Sequence, residues 1–571
     1  MSTIDWIVMC GFLLFIVAYG TWKSRGSKNV KEFLLANRAT PWYTVALSIM
    51  ATQASAITFL STPGQAYVDG MRFVQFYIGL PIAMIVLSIT AVPLYHKLKV
   101  FTAYEYLETR FDLKNRALGS ILFLIQRGLA AGFTIFAPAL IISAILGWSI
   151  NWTILAIGVL VIIYTASGGT KAVNKTHILQ MTIIFFGMIS AFFMIFKLLP
   201  ENVGVFDAMN IAGKMGKLNT IDFSFNLNDK YTFWSGLIGG TFLALSYFGT
   251  DQSQVQRYLS GSSVTQSRMG LLLNGMIKVP MQFFILLIGA MVFVFYQFVT
   301  PPIYFNPVEE TAIKNSEYSD EYSLLENEYS DLHDQKMKSI NNMLLAIDED
   351  DQSKINAENV KVIAANKQAT EVRRNAVDLI KKNNPASDGN DTNYVFLSFV
   401  LSFLPIGLIG LILAAILSAS MSSTSAELNA LASTSVMDIY KRMIKPKESE
   451  KHYLMVSKIS TVIWGGFAIF FALFANGLGS LVEAVNILGS LFYGSILGIF
   501  LVAFYIKSVR GNAVFLAAIS AELIVLLLFA VTEIPYLWFN FIGCMLVVLF
   551  GMIFQKLLFD NSNTKKITSK H

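Results

Sequence analysis

The sequence predicts an all-α polytopic membrane protein. Of its 571 residues, 54% are hydrophobic and only 14% are charged, and the mean hydropathy is +0.56. Soluble domains carry about 25% charged residues, so most of this chain is expected to lie in lipid. Apolar runs long enough to cross the hydrocarbon recur along the whole sequence. Such runs are expected to be helical, because backbone polar groups in lipid must be satisfied within the segment.

Thirteen apolar runs are long enough to be predicted as transmembrane helices. They lie at roughly 5–22, 42–63, 72–95, 117–146, 151–167, 178–199, 232–252, 270–299, 393–437, 453–475, 479–506, 512–530 and 535–556. The first run has no basic segment before it and no small-residue cleavage site after it. It is therefore predicted to be an uncleaved span rather than a signal peptide.

The basic residues between these spans fall in every second loop. They lie in segments 23–40, 97–116, 171–175, 257–268, 441–451 and 507–510 and in the C-terminal tail. Cytoplasmic loops carry an excess of Lys and Arg. An odd number of spans then places the N-terminus outside and the C-terminus in the cytoplasm, in a multi-pass inner (cell) membrane protein.

A polar insert at 300–392 contrasts with the rest of the chain. It contains 18 acidic and 10 basic residues. The loop alternation puts it on the outer side, where long translocated segments escape the charge rule. Stretches 322–345 and 355–382 have helix-forming composition, which predicts a helical hairpin over the outer mouth. Two interpretations of this insert remain: a solvated decoration, or a module that binds a ligand or partner.

Several functional classes are poor fits to this sequence. It contains no phosphate loop, nucleophile elbow or zinc-ligand spacing. Cys10 and Cys544 both lie in apolar runs, so neither a disulfide nor a metal cluster is expected. We therefore predict that the protein is not an enzyme and binds neither nucleic acid nor nucleotide. Its energy is expected to come from an ion gradient.

The order of the spans suggests two repeated blocks. Spans 42–199 and 232–506 form two sets of five, and an odd number of helices places the second set in inverted orientation. The first helix of each set is interrupted by small or polar residues, at 52–55 and 249–252. Matching broken helices are the best sequence indication of a binding site in such proteins.

The remaining segments complete this domain plan. Residues 1–41 hold an extra N-terminal helix and a loop, and residues 507–571 hold two C-terminal helices and a tail. The insert at 300–392 interrupts the second block.

The ninth span carries a row of hydroxyl groups. Ser418 and Ser422 are one helical turn apart, and Ser423 lies about 100° round from Ser422. Serine hydroxyls and carbonyls released at a broken helix suit a hard monovalent cation. Rows of small residues also let membrane helices pack closely, so spacing alone leaves both roles open.

Several segments resemble one family. The run 417–440, LSASMSSTSAELNALASTSVMDIY, resembles the signature helix of the sodium:solute symporter family, which includes the sodium–glucose cotransporters and the bacterial proline symporters. Five other segments also resemble segments of that family and occur in the family's order along the chain, at 103–111, 136–140, 167–180, 247–260 and 485–500. The resemblance implies the leucine-transporter architecture, with a 5+5 inverted repeat, one extra N-terminal helix and two extra C-terminal helices. It also implies sodium-coupled import of a small polar organic solute, such as a sugar, by alternating access.

The resemblance further implies where Na⁺ binds. In that family a sodium ion lies where the first broken helix crosses the serine-bearing helix. The corresponding ligands here are the carbonyl oxygens of Ala51, Ala54 and Ala419 and the hydroxyls of Ser422 and Ser423.

For the solute, Lys278 is the most distinctive candidate. Its segment, GMIKVP, resembles the stretch that supplies a substrate-contacting lysine in sugar-transporting relatives. An intramembrane lysine must pair, snorkel or face a cavity, so a structural pair with Asp251 or another acid is the alternative. The other substrate-binding positions implied by the resemblance are Gln53, Gln75, Tyr77, Tyr247, Phe248 and Asn486.

One departure from the family concerns coupling. Thr176-His177 stands where many members have Thr-Asp, which puts a second sodium site in doubt. His177 is then either a satisfied interfacial residue or a candidate proton site. The alternatives to sodium symport are therefore proton-coupled symport, or a membrane sensor or assembly subunit that uses the outer insert. A monomer or a weak homo-oligomer in the lipid bilayer is expected.

Overall fold

A computed structural model of the chain describes residues 1–24, 34–387, 389–475 and 479–560. Within these ranges, side chains are described except at positions 17, 20–24, 167–175, 348 and 560. The described residues are helical, and their only β-pairing is an isolated bridge between Thr40 and Gly261. The all-α prediction is therefore confirmed.

The helices are numbered in chain order. The first eleven are α1 (Thr3–Ser24), α2 (Trp42–Gln53), α3 (Ala56–Asp69), α4 (Leu80–Ile89), α5 (Ala91–Leu98), α6 (Glu105–Arg110), α7 (Leu113–Leu146), α8 (Ile150–Lys197), α9 (Val205–Lys214), α10 (Gly240–Gly249) and α11 (Gln252–Leu259). The remaining ten are α12 (Val264–Phe298), α13 (Pro307–Lys314), α14 (Ser319–Asp348), α15 (Gln352–Asn383), α16 (Val395–Phe403), α17 (Leu408–Thr434), α18 (Glu450–Ala472), α19 (Leu481–Tyr505), α20 (Gly511–Val531) and α21 (Leu537–Phe554).

The apolar runs correspond to these helices, with three differences. The predicted span 72–95 is divided among a 3₁₀ segment (Gly70–Tyr77), α4 and α5. Nine helices in the described part of the chain are long and apolar enough to cross a membrane, and four shorter ones are also apolar. The predicted spans 151–167 and 178–199 both lie on α8. The predicted span 393–437 is divided between α16 and α17, because Pro405 lacks an amide hydrogen and Gly407 adopts φ +88°.

Both predicted helix interruptions are present. The first lies between α2, which ends at Gln53, and α3, which begins at Ala56. The second lies between α10, which ends at Gly249, and α11, which begins at Gln252. Helix α17 packs against α2, α3 and α11, so the serine-bearing helix adjoins both interruptions.

Helix α17 is held in place by buried polar contacts from three other helices. The Asp5 carboxylate of α1 accepts hydrogen bonds from the backbone amides of Gly407 (2.7 Å) and Gly410 (3.2 Å) and so caps the start of α17. The Ser420 hydroxyl donates to the Thr134 carbonyl of α7 at 2.6 Å. The Gln180 side chain of α8 donates to a carbonyl on α17 at 3.1 Å.

The insert contains α13, α14 and α15. Helices α14 and α15 pack against each other, and a small hydrophobic cluster that includes Tyr322, Leu379 and Ile380 lies among the insert helices. The His333 ring of α14 forms a hydrogen bond with the Tyr296 carbonyl at the end of α12 (2.9 Å). The insert is thus joined to the apolar helices by packing and by specific polar contacts.

Candidate cation and solute sites at the broken helices

The first interruption releases two backbone carbonyls. In a continuous helix the Ser55 amide would donate to Ala51, but here it donates to Gln53 at 3.2 Å. The Thr58 amide donates to Ser55 at 3.0 Å rather than to Ala54. The carbonyls of Ala51 and Ala54 have therefore lost their helical partners, and both residues are buried.

Two serines of α17 differ in how their hydroxyls are satisfied. The Ser423 hydroxyl donates to the carbonyls of Ala419 (3.2 Å) and Ser420 (3.1 Å) within its own helix. The Ser422 hydroxyl is buried and has no hydrogen-bond partner among the described residues. A buried hydroxyl without a partner costs roughly 1–3 kcal/mol. A ligand that accepts a hydrogen bond from this hydroxyl, or a cation that its oxygen coordinates, would remove that cost.

The donor set around the first interruption consists of neutral oxygens. Among the described residues, no group of three or more His, Cys, Asp or Glu side chains is placed to hold a metal ion. Carbonyl and hydroxyl oxygens suit a hard cation of low charge, whereas a transition metal prefers imidazole or thiolate ligands. The chemistry of this site therefore fits Na⁺.

The second interruption carries a buried ionic cluster. Arg127 of α7 forms an ion pair with Asp251 in the gap between α10 and α11, and its Nη1 lies 3.0 Å from Glu427 Oε1 on α17. Tyr493 of α19 accepts a hydrogen bond from Arg127 at 2.5 Å and donates to Asp251 at 2.8 Å. One guanidinium and two carboxylates leave a formal charge of −1.

Further hydrogen bonds satisfy the two carboxylates of this cluster. Asp251 accepts from the amide (2.8 Å) and the hydroxyl (2.7 Å) of Ser253 at the start of α11. Glu427 accepts from the Thr134 hydroxyl at 2.9 Å. Charged groups are rarely buried without such compensation, so the cluster is a specific arrangement of four helices and not an incidental contact.

A cavity of about 100 Å³ lies beside the first interruption, and Tyr247 of α10 also lines it. Four of the predicted substrate residues line it: Gln53, Tyr77, Tyr247 and Asn486. Arg127 and Glu427 also border it. Gln53 Oε1 is buried without a hydrogen-bond partner in the described structure, so an acceptor faces this space without a protein donor.

Three predicted substrate residues do not line the cavity. The Gln75 side chain donates to the Tyr231 carbonyl and accepts from the Asp222 amide, both at 2.9 Å, and so holds a loop. Phe248 is buried and packs against the neighbouring Tyr247 ring, with centroids 4.9 Å apart. Hydrogen bonding and ring packing therefore account for Gln75 and Phe248.

Lys278 is the third of these residues. Its side chain is 1% exposed, and its Nζ lies 5.9 Å from the centroid of the Tyr77 ring. The predicted alternative, a pair between Lys278 and Asp251, is wrong because Asp251 is paired with Arg127. No carboxylate of the described residues lies within 4 Å of Lys278.

The candidate second-cation residues lie beside the first broken helix. His177 is fully buried, and its Nδ1 forms a hydrogen bond with Ser48 Oγ of α2 at 3.1 Å. Its Nε2 has no partner among the described residues. The Thr176 hydroxyl lies 3.4 Å from the Tyr164 hydroxyl on the same helix, α8.

The most strongly charged part of the site lies outside the residues predicted from the sequence. Arg127 and Glu427 are ionisable residues within apolar runs, which is itself an indication of function. Tyr493 gave no such indication, because a tyrosine among apolar residues is common in membrane helices.

Comparisons with known proteins identify the family of this chain. The profile described as "Sodium:solute symporter family" matches residues 33–322 and 380–521. The human sodium-coupled monocarboxylate transporter 1 is 34% identical over 273 residues, and the match covers 47% of this chain but only 44% of that protein. The sodium/sialic acid symporter NanT of Aliivibrio fischeri is 25% identical over 572 residues, covering 99% of this chain and 95% of that one.

A solved structure has the same fold. It represents the substrate-bound outward-open state of a Na⁺-coupled sialic acid symporter, with a TM-score of 0.74, 22% identity and coverage of 98% of both chains. The unmatched gap in the family profile, 323–379, coincides with most of α14 and α15. The profile match spans most of the sequence, and the chain belongs to the sodium:solute symporter family, whose members are membrane transporters and not enzymes.

Proposed function

We propose that this protein imports a small polar organic solute together with Na⁺ by alternating access. The observation that carries the proposal is that the first helix interruption borders a cavity whose wall also includes Arg127, the partner of Asp251 at the second interruption. Family membership supports sodium coupling, and the neutral oxygens at the first interruption support a site for the ion.

Na⁺ would be held by the carbonyls of Ala51, Ala54 and Ala419 and by the hydroxyls of Ser422 and Ser423. The released carbonyls of Ala51 and Ala54 and the unpartnered Ser422 hydroxyl support this assignment. A cation bound here would join α2 and α3 to α17 and fix the angle between the two halves of the first broken helix.

Coupling follows from that placement. Sodium drives transport only if it binds one conformation of the protein more tightly than the other. Fixing the first interruption would complete the wall of the solute cavity, because Gln53 lies at the end of α2. A membrane potential of 100 mV adds about 2.3 kcal/mol for each charge that moves inward.

The solute would bind between Gln53, Tyr77, Tyr247 and Asn486. A neutral polyhydroxyl compound such as a sugar fits this wall, because the charged groups beside it already sum to −1. An organic acid is the second candidate, favoured by the monocarboxylate and sialic acid transporters among the relatives. An acid would need the Arg127 guanidinium to exchange one of its carboxylate partners for the solute.

The proposed membrane arrangement has about 13 transmembrane helices. The first inverted repeat covers 42–199, and the second covers 232–506 with the insert at 300–392 outside. Residues 1–41 and 507–571 supply the extra N-terminal and C-terminal helices. The N-terminus lies outside and the C-terminus in the cytoplasm of the cell membrane. The inward excess of Lys and Arg supports this orientation.

The sodium site is tested by thermal unfolding of the detergent-purified protein in NaCl and in equal choline chloride. A ligand present at 100 times its dissociation constant stabilises the folded state by about 2.7 kcal/mol. Sodium should raise the Tm of the wild type but not of the double variant Ser422→Ala/Ser423→Ala. Ser457→Ala is the control. This serine is as buried as Ser422 and Ser423 but lies on α18, which supplies none of the proposed sodium ligands. A sodium shift that survives in the double variant contradicts the assignment.

Uptake into proteoliposomes then separates the rival functions. Inward flux that requires a sodium gradient supports symport, whereas flux that follows a pH gradient without sodium supports proton coupling through His177. Solute binding without flux supports the sensor or assembly role. Competition by unlabelled sugars, monocarboxylates and sialic acid identifies the class of solute.

A further inference from the structure

A second cavity lies between the insert and the apolar helices, at the opposite end of α3 from the proposed sodium ligand Ala54. Its volume is about 380 Å³. It is bordered by the ends of α3 and α12, by α14 and α15, and by the segment 389–392. Most of its insert-side wall falls in the 323–379 stretch that the family profile does not match.

The charges that border this cavity are mainly positive. Lys217, Lys336 and Arg373 contribute three cations, and Asp391 contributes one carboxylate. Asp391 is already occupied, because it pairs with Arg373 and accepts a hydrogen bond from the Phe305 amide at 2.6 Å. The formal charge at the cavity wall is therefore +2.

Lys336 is the unusual residue. It lies on α14 and is only 6% exposed, and its ammonium group has no hydrogen-bond acceptor or carboxylate partner among the described residues. Burial and the nearby Lys217 lower the pKa of Lys336 to about 8. The largely buried Lys336 side chain therefore places an ammonium at the cavity wall without a counter-ion, and an anion in the cavity would supply one.

Lys217 links the cavity to the first broken helix. Its Nζ donates to the last carbonyls of α3, at Tyr67 (2.7 Å) and Val68 (2.5 Å). Cations at a helix C-terminus interact favourably with the helix dipole. Burial lowers the pKa of Lys217 to about 8, with partial compensation by Asp69. An anion beside Lys217 would therefore contact the group that holds the outer half of the broken helix.

We propose that this cavity is a binding site for a small oxyanion, a carboxylate or phosphate, held by Lys336, Arg373 and Lys217. The anion would bridge the insert and the end of α3. Two of the three cations come from the inserted hairpin, so the site is a feature of this chain and independent of the proposed sodium site.

The test measures thermal unfolding in choline phosphate and in choline lactate, against choline chloride at equal ionic strength and at pH 7. Phosphate or lactate should raise the Tm of the wild type by several degrees. The shift should persist in Lys338→Gln, an exposed lysine two residues along α14, and disappear in Lys336→Gln. Equal shifts in Lys336→Gln and the wild type, or no shift beyond that of chloride in the wild type, would overturn the proposal.

The proteins without added oxyanion provide a second measurement. Because Lys336 is buried without a counter-ion, Lys336→Gln should have a higher Tm in choline chloride than the wild type, whereas Lys338→Gln should not. A lower Tm for Lys336→Gln would mean that the lysine already has a stabilising partner and would count against the site.

Lactate affinity should also fall as the pH rises through about 8, because the two lysines lose their charge there while lactate stays ionised. The charged and titratable groups around them are Arg373, Asp391, Asp69, His333, Tyr67 and Tyr329. Of these, Arg373 keeps its charge across this range, because the neighbouring Asp391 carboxylate raises its pKa against the effect of burial. Lactate affinity should therefore drop several-fold between pH 7 and pH 9, and an unchanged affinity would contradict the role of the lysines.

Discussion

At the scale of single residues, the buried Arg127 side chain joins separate parts of the chain at the centre of this protein. Arg127 contacts Asp251 and Glu427, which belong to two separate parts of the chain. Breaking a buried pair by removing one partner costs about 3–5 kcal/mol when it leaves a charge uncompensated. The positive and negative groups of this cluster are unequal in number, because the single Arg127 guanidinium pairs with two carboxylates.

Substitutions on the two sides should therefore have unequal effects. Arg127→Met leaves two buried carboxylates without a counter-ion and should destabilise the protein by about 3–5 kcal/mol. Glu427→Gln removes the excess negative charge and leaves the Arg127–Asp251 pair, so it should cost roughly 1 kcal/mol or less. Thermal unfolding in detergent compares the two, and losses of equal size would show that the cluster does not carry a net charge of −1.

At the scale of elements, α3, the second half of the first broken helix, depends on a close helix crossing. A Cβ atom added at Gly289 of α12 would lie 2.1 Å from the carbonyl oxygen of Pro63 on α3. Real Cβ atoms do not approach backbone that closely, so α12 and α3 could not keep this separation with a larger residue. Small residues at such crossings let membrane helices pack through their backbones.

Gly289→Ala should therefore disturb α3 and with it the cavity. Overpacking of this kind costs about 1–3 kcal/mol, and the variant should lose both thermal stability and uptake. Gly466→Ala on α18 is the matched control, because an added Cβ there meets no atom within 4 Å and alanine favours the helix. If both variants behaved like the wild type, the close crossing would not be required.

At the scale of the whole molecule, the insert and the basic loops are predicted to lie on opposite sides of the membrane. The exposed Ser353 lies at the start of α15, and the exposed Lys447 lies between α17 and α18. The native Cys10 is exposed and Cys544 is buried, so Cys10→Ala provides a background with low labelling.

In that background, a membrane-impermeant maleimide should label Ser353→Cys in intact cells. Lys447→Cys should be labelled only after the membrane is permeabilised. The reverse pattern would invert the proposed topology, and labelling of both positions in intact cells would exclude it.

The sequence alone determined the class of this protein and the positions of its helix interruptions. Composition and the apolar runs indicate a helical membrane protein because lipid offers backbone groups no alternative partners. Polar and small residues at 52–55 and 249–252 predict the interruptions because they occur where an apolar helix would otherwise continue. The motif run 417–440 identified the family, which the profile match confirms.

Only the tertiary structure decided which side chains share a site. Arg127, Asp251 and Glu427 are far apart in the chain, and no periodicity predicts that three helices bring them together. The same reason explains why Lys278 does not pair with Asp251. The fold places Arg127 against that carboxylate, although Lys278 is closer to it in the chain. The cavity at Lys336 likewise exists only because the insert folds back onto the end of α3.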